Sequence, residues 1–333
     1  MDNNHNLIPR EQSFVTTSKL LSVHSDDRNL AFWPDSNTFA ITLPAPILNV
    51  QSIRLIQSTF PSSLYVFSEN QRNTKFNITI GNNTNATLIE INEGIYTDVE
   101  FAFELNRVLS DIMPDMTVTL SSSDRKLTFK SLSTKFILNF DKKMDYDECG
   151  DNFALANNIE GLPYHMGFEN KRYSSSVVDD GSQSIVSSFP INIIGESCFY
   201  MEIDKYNLLD ELSPFNKTPK DSNCIVVCPD NTTVKVIQKT NNNVFTGKSN
   251  SAFAKIPLTI NSLVYPFNSQ FITLCNAGFY DPVIEKISNL RFKFRYHNGV
   301  LVDFKNNRFD FILEFTSLRN EISKSFSVRK GVI

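Results

Sequence analysis

The stretch NLRFKFRYHNGVLVDFKNNRFDFILEF, residues 289–315, decides the fold class of this chain. Large apolar residues occupy alternate positions in its first half, which is the period-two pattern of a strand with one buried face. The positions between them carry Arg291, Lys293 and Arg295. The pair Asn298-Gly299 then interrupts the alternation, and Asn-Gly is a leading turn pair of β-hairpins. Alternation returns after a second polar turn at residues 305–307, so the stretch predicts antiparallel strands joined by tight turns.

Shorter runs of the same kind recur along the rest of the chain. The run TFAITLP predicts a strand that ends at Pro44 and Pro46, because proline cannot donate a hydrogen bond to a central ladder. A second strand is expected from about Val50 to Thr59, and the polar segment NNTN is expected to join two further strands as a hairpin. Many short strands, few helices and frequent turns predict a mainly β chain with an antiparallel β-sandwich.

One segment, EGIYTDVEFAFELNRVL at residues 93–109, predicts a helix instead. Thr97 and Glu100 have the spacing of a capping box, which satisfies free amides of the first helical turn. An apolar stripe at helical spacing follows, made of Phe101, Leu105, Val108, Leu109 and Ile112. The opposite face is expected to carry Glu104, Asn106 and Arg107. We interpret the segment as a structural helix packed on a sheet, in which Glu104→Gln would change little.

Composition and charge exclude several classes of function. The chain has 333 residues, 41% of them hydrophobic, and a net charge of only −4, so it is typical of a globular protein and favours no nucleic-acid partner. It contains no run of 18 apolar residues, and therefore predicts no transmembrane segment. The five cysteines are odd in number and irregularly spaced, which indicates reduced thiols, and Cys224 and Cys228 lack the second pair that a zinc site needs.

Catalytic and metal-binding candidates are few. The four histidines fall in unrelated contexts, and no nucleophile-elbow, metalloprotease, phosphate-loop or dinucleotide motif occurs, so we predict no enzyme activity, no catalytic residue and no cofactor. The acidic segment Asp141 to Asp151 fails as an EF-hand because Ala156 occupies the position that needs a bidentate glutamate. We expect a solvated turn there and no metal site, although a looser cation site stays open. Arg291, Lys293 and Arg295 are instead interface candidates that could face an acidic neighbour.

Several of these segments together resemble a known group of proteins. Ser25 to Arg28, the prolyl strand end at Phe39 to Pro44 and the turn at Pro61 to Tyr65 resemble the N-terminal part of minor capsid proteins of nucleocytoplasmic large DNA viruses, or giant viruses. The helix entry at residues 93–109 and the element HMGF at residues 165–168 are similar to parts of the same group. The resemblance is clearest over residues 20–170. It implies a non-enzymatic structural protein of the virion with a jelly-roll β-sandwich, and it transfers no catalytic residue.

The expected organisation is a sandwich with an insertion. Its parts are an N-terminal arm at 1–13, a jelly-roll-like sandwich from 14–70 plus 185–320, an inserted α+β subdomain at 71–172, and a C-terminal tail at 321–333. The expected function is a minor capsid protein that bridges or cements major capsid subunits and contacts other minor capsid proteins, self-association and proximity to an internal viral membrane being left open. The alternatives are a penton (vertex) protein and a host-surface or glycan-binding attachment module. The expected location is the capsid, assembled in the host cytoplasm.

Overall fold

The computed structural model of the protein describes residues 14–61, 63–141, 161–212, 224–227, 233–236, 249–258, 267–271 and 277–320. Its helices are a 3-10 turn at Ser25–Asp27, α1 (Asp98–Ser110) and α2 (Leu162–His165). The first strands are β1 (Phe14–His24), β2 (Thr38–Pro61), β3 (Lys75–Ile80), β4 (Thr87–Glu90), β5 (Met116–Leu120), β6 (Leu127–Ser131), β7 (Phe136–Asn139), β8 (Arg172–Ser174), β9 (Ser176–Val177) and β10 (Gln183–Val186). The remaining strands are β11 (Cys198–Ile203), β12 (Leu209–Leu212), β13 (Cys224–Val227), β14 (Thr233–Val236), β15 (Ser249–Ala252), β16 (Ala254–Pro257), β17 (Phe267–Phe271), β18 (Ala277–Arg295) and β19 (Asp310–Asn320).

The largest sheet is antiparallel and has the strand order β1-β19-β2-β18-β11-β16, with β17 also paired to β2. Two further antiparallel sheets have the orders β5-β6-β10-β9 and β4-β3-β7-β8. The short pairs β12-β15 and β13-β14 complete the described pairing. The expected mainly β, antiparallel class is therefore confirmed.

The largest sheet folds over on itself, and strand β2 shows how. Phe39 and Phe60 lie 21 residues apart on β2, which would separate them by about 70 Å in a straight strand. Both rings nevertheless pack on the ring of Phe309, with centroid distances of 6.3 Å and 4.9 Å. The two halves of β2 must therefore face each other across one apolar core, which is the geometry of a β-sandwich of the jelly-roll type.

Bulges provide the corner at which the strands change layer. Thr42 of β2 pairs with Asn289 and Ile47 pairs with Ile287, so the four residues between Thr42 and Ile47 face only Ser288. The complementary bulge on β18 places residues 280–283 opposite a single residue of β2. Bulges bend a strand and leave residues unpaired, which is what a corner between two layers requires.

This corner corrects the expected strand end at Pro44 and Pro46. The two expected strands are one, β2, which continues through both prolines. The prolines are tolerated because they lie among the unpaired residues of the bulge, where no ladder hydrogen bond is lost. The two prolines correctly predicted that strand pairing is interrupted here, but they wrongly predicted that the strand ends.

A second apolar core lies between the chain's two passages through the sandwich. Its buried residues run from Phe67 to Ile193, whereas those of the sandwich core run from Val23 to Leu64 and then from Phe199 to Phe315. The second core includes α1 and both four-stranded sheets. The expected domain limits at residues 71–172 and 185–320 stay a prediction. The N-terminal arm, the C-terminal tail, residues 142–151 of the acidic segment, and Cys228 lie outside the described residues.

The predicted turns and helix start lie where the sequence placed them. Gly299 has φ +85° and its amide donates to the carbonyl of Tyr296, which closes the Asn298-Gly299 turn. Helix α1 begins after Thr97, whose hydroxyl accepts from the amide of Glu100, while the Glu100 carboxylate accepts from the amide of Thr97, at 2.8 Å. One detail differs from expectation: Ile112 is 37% exposed, with Met113 buried in its place.

Candidate interaction site

The predicted basic strip lies on the C-terminal half of β18, and its three members have different surroundings. Arg291 is exposed, and its guanidinium lies 5.2 Å from the ring centre of Trp33. Lys293 is partly exposed and its Nζ lies 3.5 Å from a carboxylate oxygen of Glu202. Arg295 is buried, with 3% of its side chain exposed. Alternation predicted the sheet face correctly but not the depth of burial along it.

Arg295 is the centre of a buried charge cluster. Its Nε donates to Glu202, and its Nη1 donates to Glu211 at 2.7 Å. Glu211, on β12, is 5% exposed and also bonds the ring of His297. The acidic residues that Arg295 faces, Glu202 and Glu211, therefore belong to the same chain. As an interface between molecules the strip stays a prediction, and Arg295 could take part only if this cluster opened.

The cluster changes the electrostatics of the residues around it. Burial alone would lower the pKa of Arg295, but the carboxylates of Glu202 and Glu211 outweigh burial and raise it. The ring of Tyr200 lies under the Arg295 guanidinium at 5.2 Å, and its pKa is raised to about 12, chiefly by burial and then by Glu211. The geometry ties β18, β11 and β12 together through charge.

An exposed apolar loop lies at residues 28–35, directly after the 3-10 turn. The Arg28 guanidinium donates to the carbonyls of Trp33 at 3.1 Å and Pro34 at 3.2 Å, and also to that of Ser25. These bonds hold the loop in one shape. It presents two large apolar side chains, those of Leu30 and Phe32, which are 63% and 77% exposed. The exposure of these two side chains does not stabilise an isolated molecule, because burying each of them would contribute about 1.5–3 kcal/mol of stability.

A second contact feature is the edge strand β1. It pairs along its full length with β19, from Phe14 opposite Asn320 to His24 opposite Asp310, without a bulge. Within the described residues its other edge has no strand partner, so a row of backbone amides and carbonyls is available to another chain. Lys19 lies on the core-facing side of β1, opposite Phe315, and remains exposed. A charge at this position disfavours indiscriminate pairing at the edge.

The apolar stripe residues within helix α1 are buried as predicted, but the opposite face of the helix is not wholly exposed as expected. Phe101 and Leu105 are fully buried, and the Phe101 ring stacks on Phe67 at 5.0 Å. Glu104, expected on the solvent face, is only 7% exposed. Its carboxylate accepts the backbone amide of Asn92 at 2.8 Å and both Nε and Nη2 of Arg107 at 2.7 Å. The expected solvent-facing position of Glu104 is therefore wrong, and we now expect Glu104→Gln to lower the stability of the protein.

Asn106, the neighbour of Glu104 on that face, binds the backbone of β5. Its Nδ2 donates to the carbonyl of Val118 and its Oδ1 accepts the Val118 amide, both at 2.7 Å. The side-chain amide thus occupies the hydrogen-bonding position of an additional strand residue. Sequence reasoning missed this role because spacing assigns a residue to a helix face and does not say whether a strand edge lies beyond that face.

His165, in the element HMGF, is a partly buried histidine with two defined partners. Its Nδ1 lies 2.6 Å from the carbonyl of Asn192, and its Nε2 lies 3.1 Å from Nδ2 of Asn73. A ring that donates from Nδ1 and accepts at Nε2 is neutral. Burial lowers the pKa of His165, with the Asn192 carbonyl opposing the shift in part. In its neutral form the residue joins the end of α2 to the loops that contain Asn73 and Asn192.

Among the described residues no group of three or more histidine, cysteine or acidic side chains is arranged to hold a metal ion. No helix in the same part of the chain is long and apolar enough to cross a membrane. Cys224 begins β13 and Cys228 lies outside the described residues, so the expectation that the two cysteines form no zinc site stays a prediction.

The described elements define a mainly β, antiparallel protein with an exposed apolar loop and an open sheet edge. The chain belongs to a family of unknown function, DUF5901, whose profile matches residues 10–274. No curated protein matches it. Among solved structures it is similar to the mavirus penton protein, at 10% identity and a TM-score of 0.39, covering 92% of this chain and 99% of that one. It is similar to a chain of the Sputnik virophage at the same identity and TM-score, covering 94% of this chain and 99% of that one.

Proposed function

We propose that this protein is a structural component of a virus particle, and more specifically a minor capsid protein that bridges or cements major capsid subunits of a large icosahedral DNA virus. The observation that carries the proposal is the pinned apolar loop at residues 28–35. Arg28 fixes the loop, so the exposed Leu30 and Phe32 can bind a partner without a large loss of conformational entropy. Rigid aromatic anchors of this kind dominate the energy of protein interfaces.

The sequence resemblance points to the same part of the molecule. Its first element, Ser25 to Arg28, contains the arginine that pins the loop. In this proposal the partners are the major capsid protein and other minor capsid proteins, and the protein is located in the capsid after assembly in the host cytoplasm. The open edge of β1 would supply a second contact with a neighbouring subunit.

The test compares two phenylalanines of similar exposure. Phe32→Ser is expected to leave the isolated protein folded, since Phe32 is 77% exposed, and to reduce its incorporation into virions at least tenfold. Phe103→Ser, on the solvent face of α1 and 71% exposed, is the matched control and is expected to incorporate normally. Quantitative mass spectrometry of purified particles gives the copy number of each variant.

Three results would count against the proposal. Absence of the wild-type protein from purified virions would end it. Equal incorporation of the two variants would remove the loop from the interface. Cryo-electron microscopy that located the protein only in rings of five at the vertices would replace the bridging role with that of a penton protein.

A further inference from the structure

The two apolar cores are joined by two short crossings of the chain that lie side by side. The first crossing runs from Leu64, in the sandwich core, to Phe67, in the second core. The second runs from Ile193 back to Phe199. Gly195, with φ +77°, lies so close to the first crossing that a Cβ atom there would lie 2.9 Å from Cγ2 of Val66. The two cores have no buried apolar residue in common. The two adjacent crossings therefore have the arrangement of a hinge.

Beyond the hinge, polar contacts connect the sandwich to the second core. Asn298 supplies one, since its Nδ2 lies 3.4 Å from Oε1 of Gln71. Others come from the turn at residues 300–305, which follows the Asn298-Gly299 hairpin. Asn70 Nδ2 donates to the carbonyl of Leu301 at 2.9 Å. The ammonium of Lys305 lies 2.9 Å from a carboxylate oxygen of Glu93 and 4.6 Å from the ring centre of Tyr65. The other carboxylate oxygen of Glu93 accepts the backbone amide of Glu69 at 2.8 Å.

We propose that the turn at residues 300–305 is an electrostatic latch, with Lys305 and Glu93 as its central pair, that fixes the angle between the sandwich and the second core. Polar intrachain interfaces of this kind permit relative motion unless specific contacts prevent it. Lys305 is 30% exposed and Glu93 is 36% exposed, so the pair is accessible to salt. Release of the latch lets the second core turn about residues 64–67 and 193–199 while both cores remain folded.

The electrostatics of the pair agree with this geometry. Glu93 has a lowered pKa, chiefly because it accepts a hydrogen bond from Lys305. Burial would lower the pKa of Lys305, but Glu93 and Asp303 outweigh it and raise the pKa. Both groups are therefore charged across the neutral range, so ionic strength, and not pH, controls the latch. The inference stands on the two cores and their contacts and holds whatever partner the protein has.

The experiment measures the shape of the full chain by small-angle X-ray scattering at low and high salt. Lys305→Met and Glu93→Gln each remove one half of the central pair, and Lys130→Met is the matched control because its pair with Asp180 lies wholly within the second core. The latch predicts that the wild-type radius of gyration increases with salt. It predicts that either latch variant already has the larger value at low salt, that the double variant adds nothing further, and that the control behaves as wild type.

Circular dichroism shows whether each variant remains folded. If Lys305→Met does not fold, Glu93→Gln tests the same contact from the other side, and Asn70→Ala tests the neighbouring hydrogen bond. Folded latch variants that scatter as wild type at both salt concentrations would overturn the proposal. An equal response of Lys130→Met would overturn it as well, because the effect would then be a general one of charge removal.

Discussion

The buried charge of Arg295 gives the sharpest test of the sandwich. Replacement by methionine keeps an unbranched apolar stem but removes the guanidinium, which leaves the carboxylates of Glu202 and Glu211 without their common partner. Glu211 is 5% exposed and Glu202 is 19% exposed, so water reaches them poorly. Breaking a buried ion pair by removing one member costs about 3–5 kcal/mol. We expect Arg295→Met to lower the free energy of unfolding of the sandwich by that amount.

Lys293→Met is the matched control. It lies on the same strand and also faces Glu202, but its side chain is 38% exposed and its ion pair is 3.5 Å long. Exposed pairs of this kind contribute about 0–1 kcal/mol, and solvent screening places this one at the low end of that range. The two substitutions remove the same charge, so the difference between them isolates the effect of burial.

Urea unfolding followed by tryptophan fluorescence measures both effects. Trp33 is the single tryptophan of the chain and packs against the sandwich core and Arg291, so its emission reports on this core. Equal losses of stability in the two variants would refute the reasoning, because burial would then carry no weight. Adding Glu211→Gln to Arg295→Met is expected to recover part of the loss, since one uncompensated charge is removed.

Three further predictions concern the second core. Glu104→Gln keeps an acceptor for the Asn92 amide but loses the charged bond to Arg107, so we expect a loss of about 1 kcal/mol; the pKa of Tyr96, held at about 12 by burial and by Glu104, should fall in a spectroscopic titration. Thr97→Ala removes the cap of α1 and is expected to cost about 1 kcal/mol by urea unfolding, whereas Thr97→Ser should cost little. The lowered pKa of His165 means that the unfolded chain binds a proton more tightly, so stability is greatest above the ordinary value of 6.5 and declines as the pH falls below it. An acid decline of the same size in His165→Gln would contradict the last prediction.

Local patterns predicted the elements whose cause is local. The capping pair Thr97 and Glu100 and the turn at Asn298-Gly299 depend on residues within a few positions of each other, and both form as predicted. Alternation likewise placed Phe292 and Phe294 in the core. In each case the deciding contacts lie within one element or one hairpin.

The failures share a different cause, which is the arrival of a distant segment. Pro44 and Pro46 did not end a strand, because β18, more than 200 residues later, pairs with β2 on both sides of the bulge that contains them. Glu104 is buried because Asn92 and its loop cover that side of α1. Arg295 is buried because Glu211, 84 residues away, folds over it. No spacing rule within a single stretch contains such information.

The side chain of Asn106 also affects how readily the protein aggregates. A free strand edge can recruit a strand from another molecule and start an aggregate. By binding both polar groups of Val118, Asn106 caps the middle of the outer edge of β5 from within the molecule. The loss of this cap in Asn106→Ala would let β5, whose sequence MTVTL is rich in β-branched residues, pair with the same strand of another molecule. The side chain of Asn106 therefore closes part of the β5 edge to pairing between molecules.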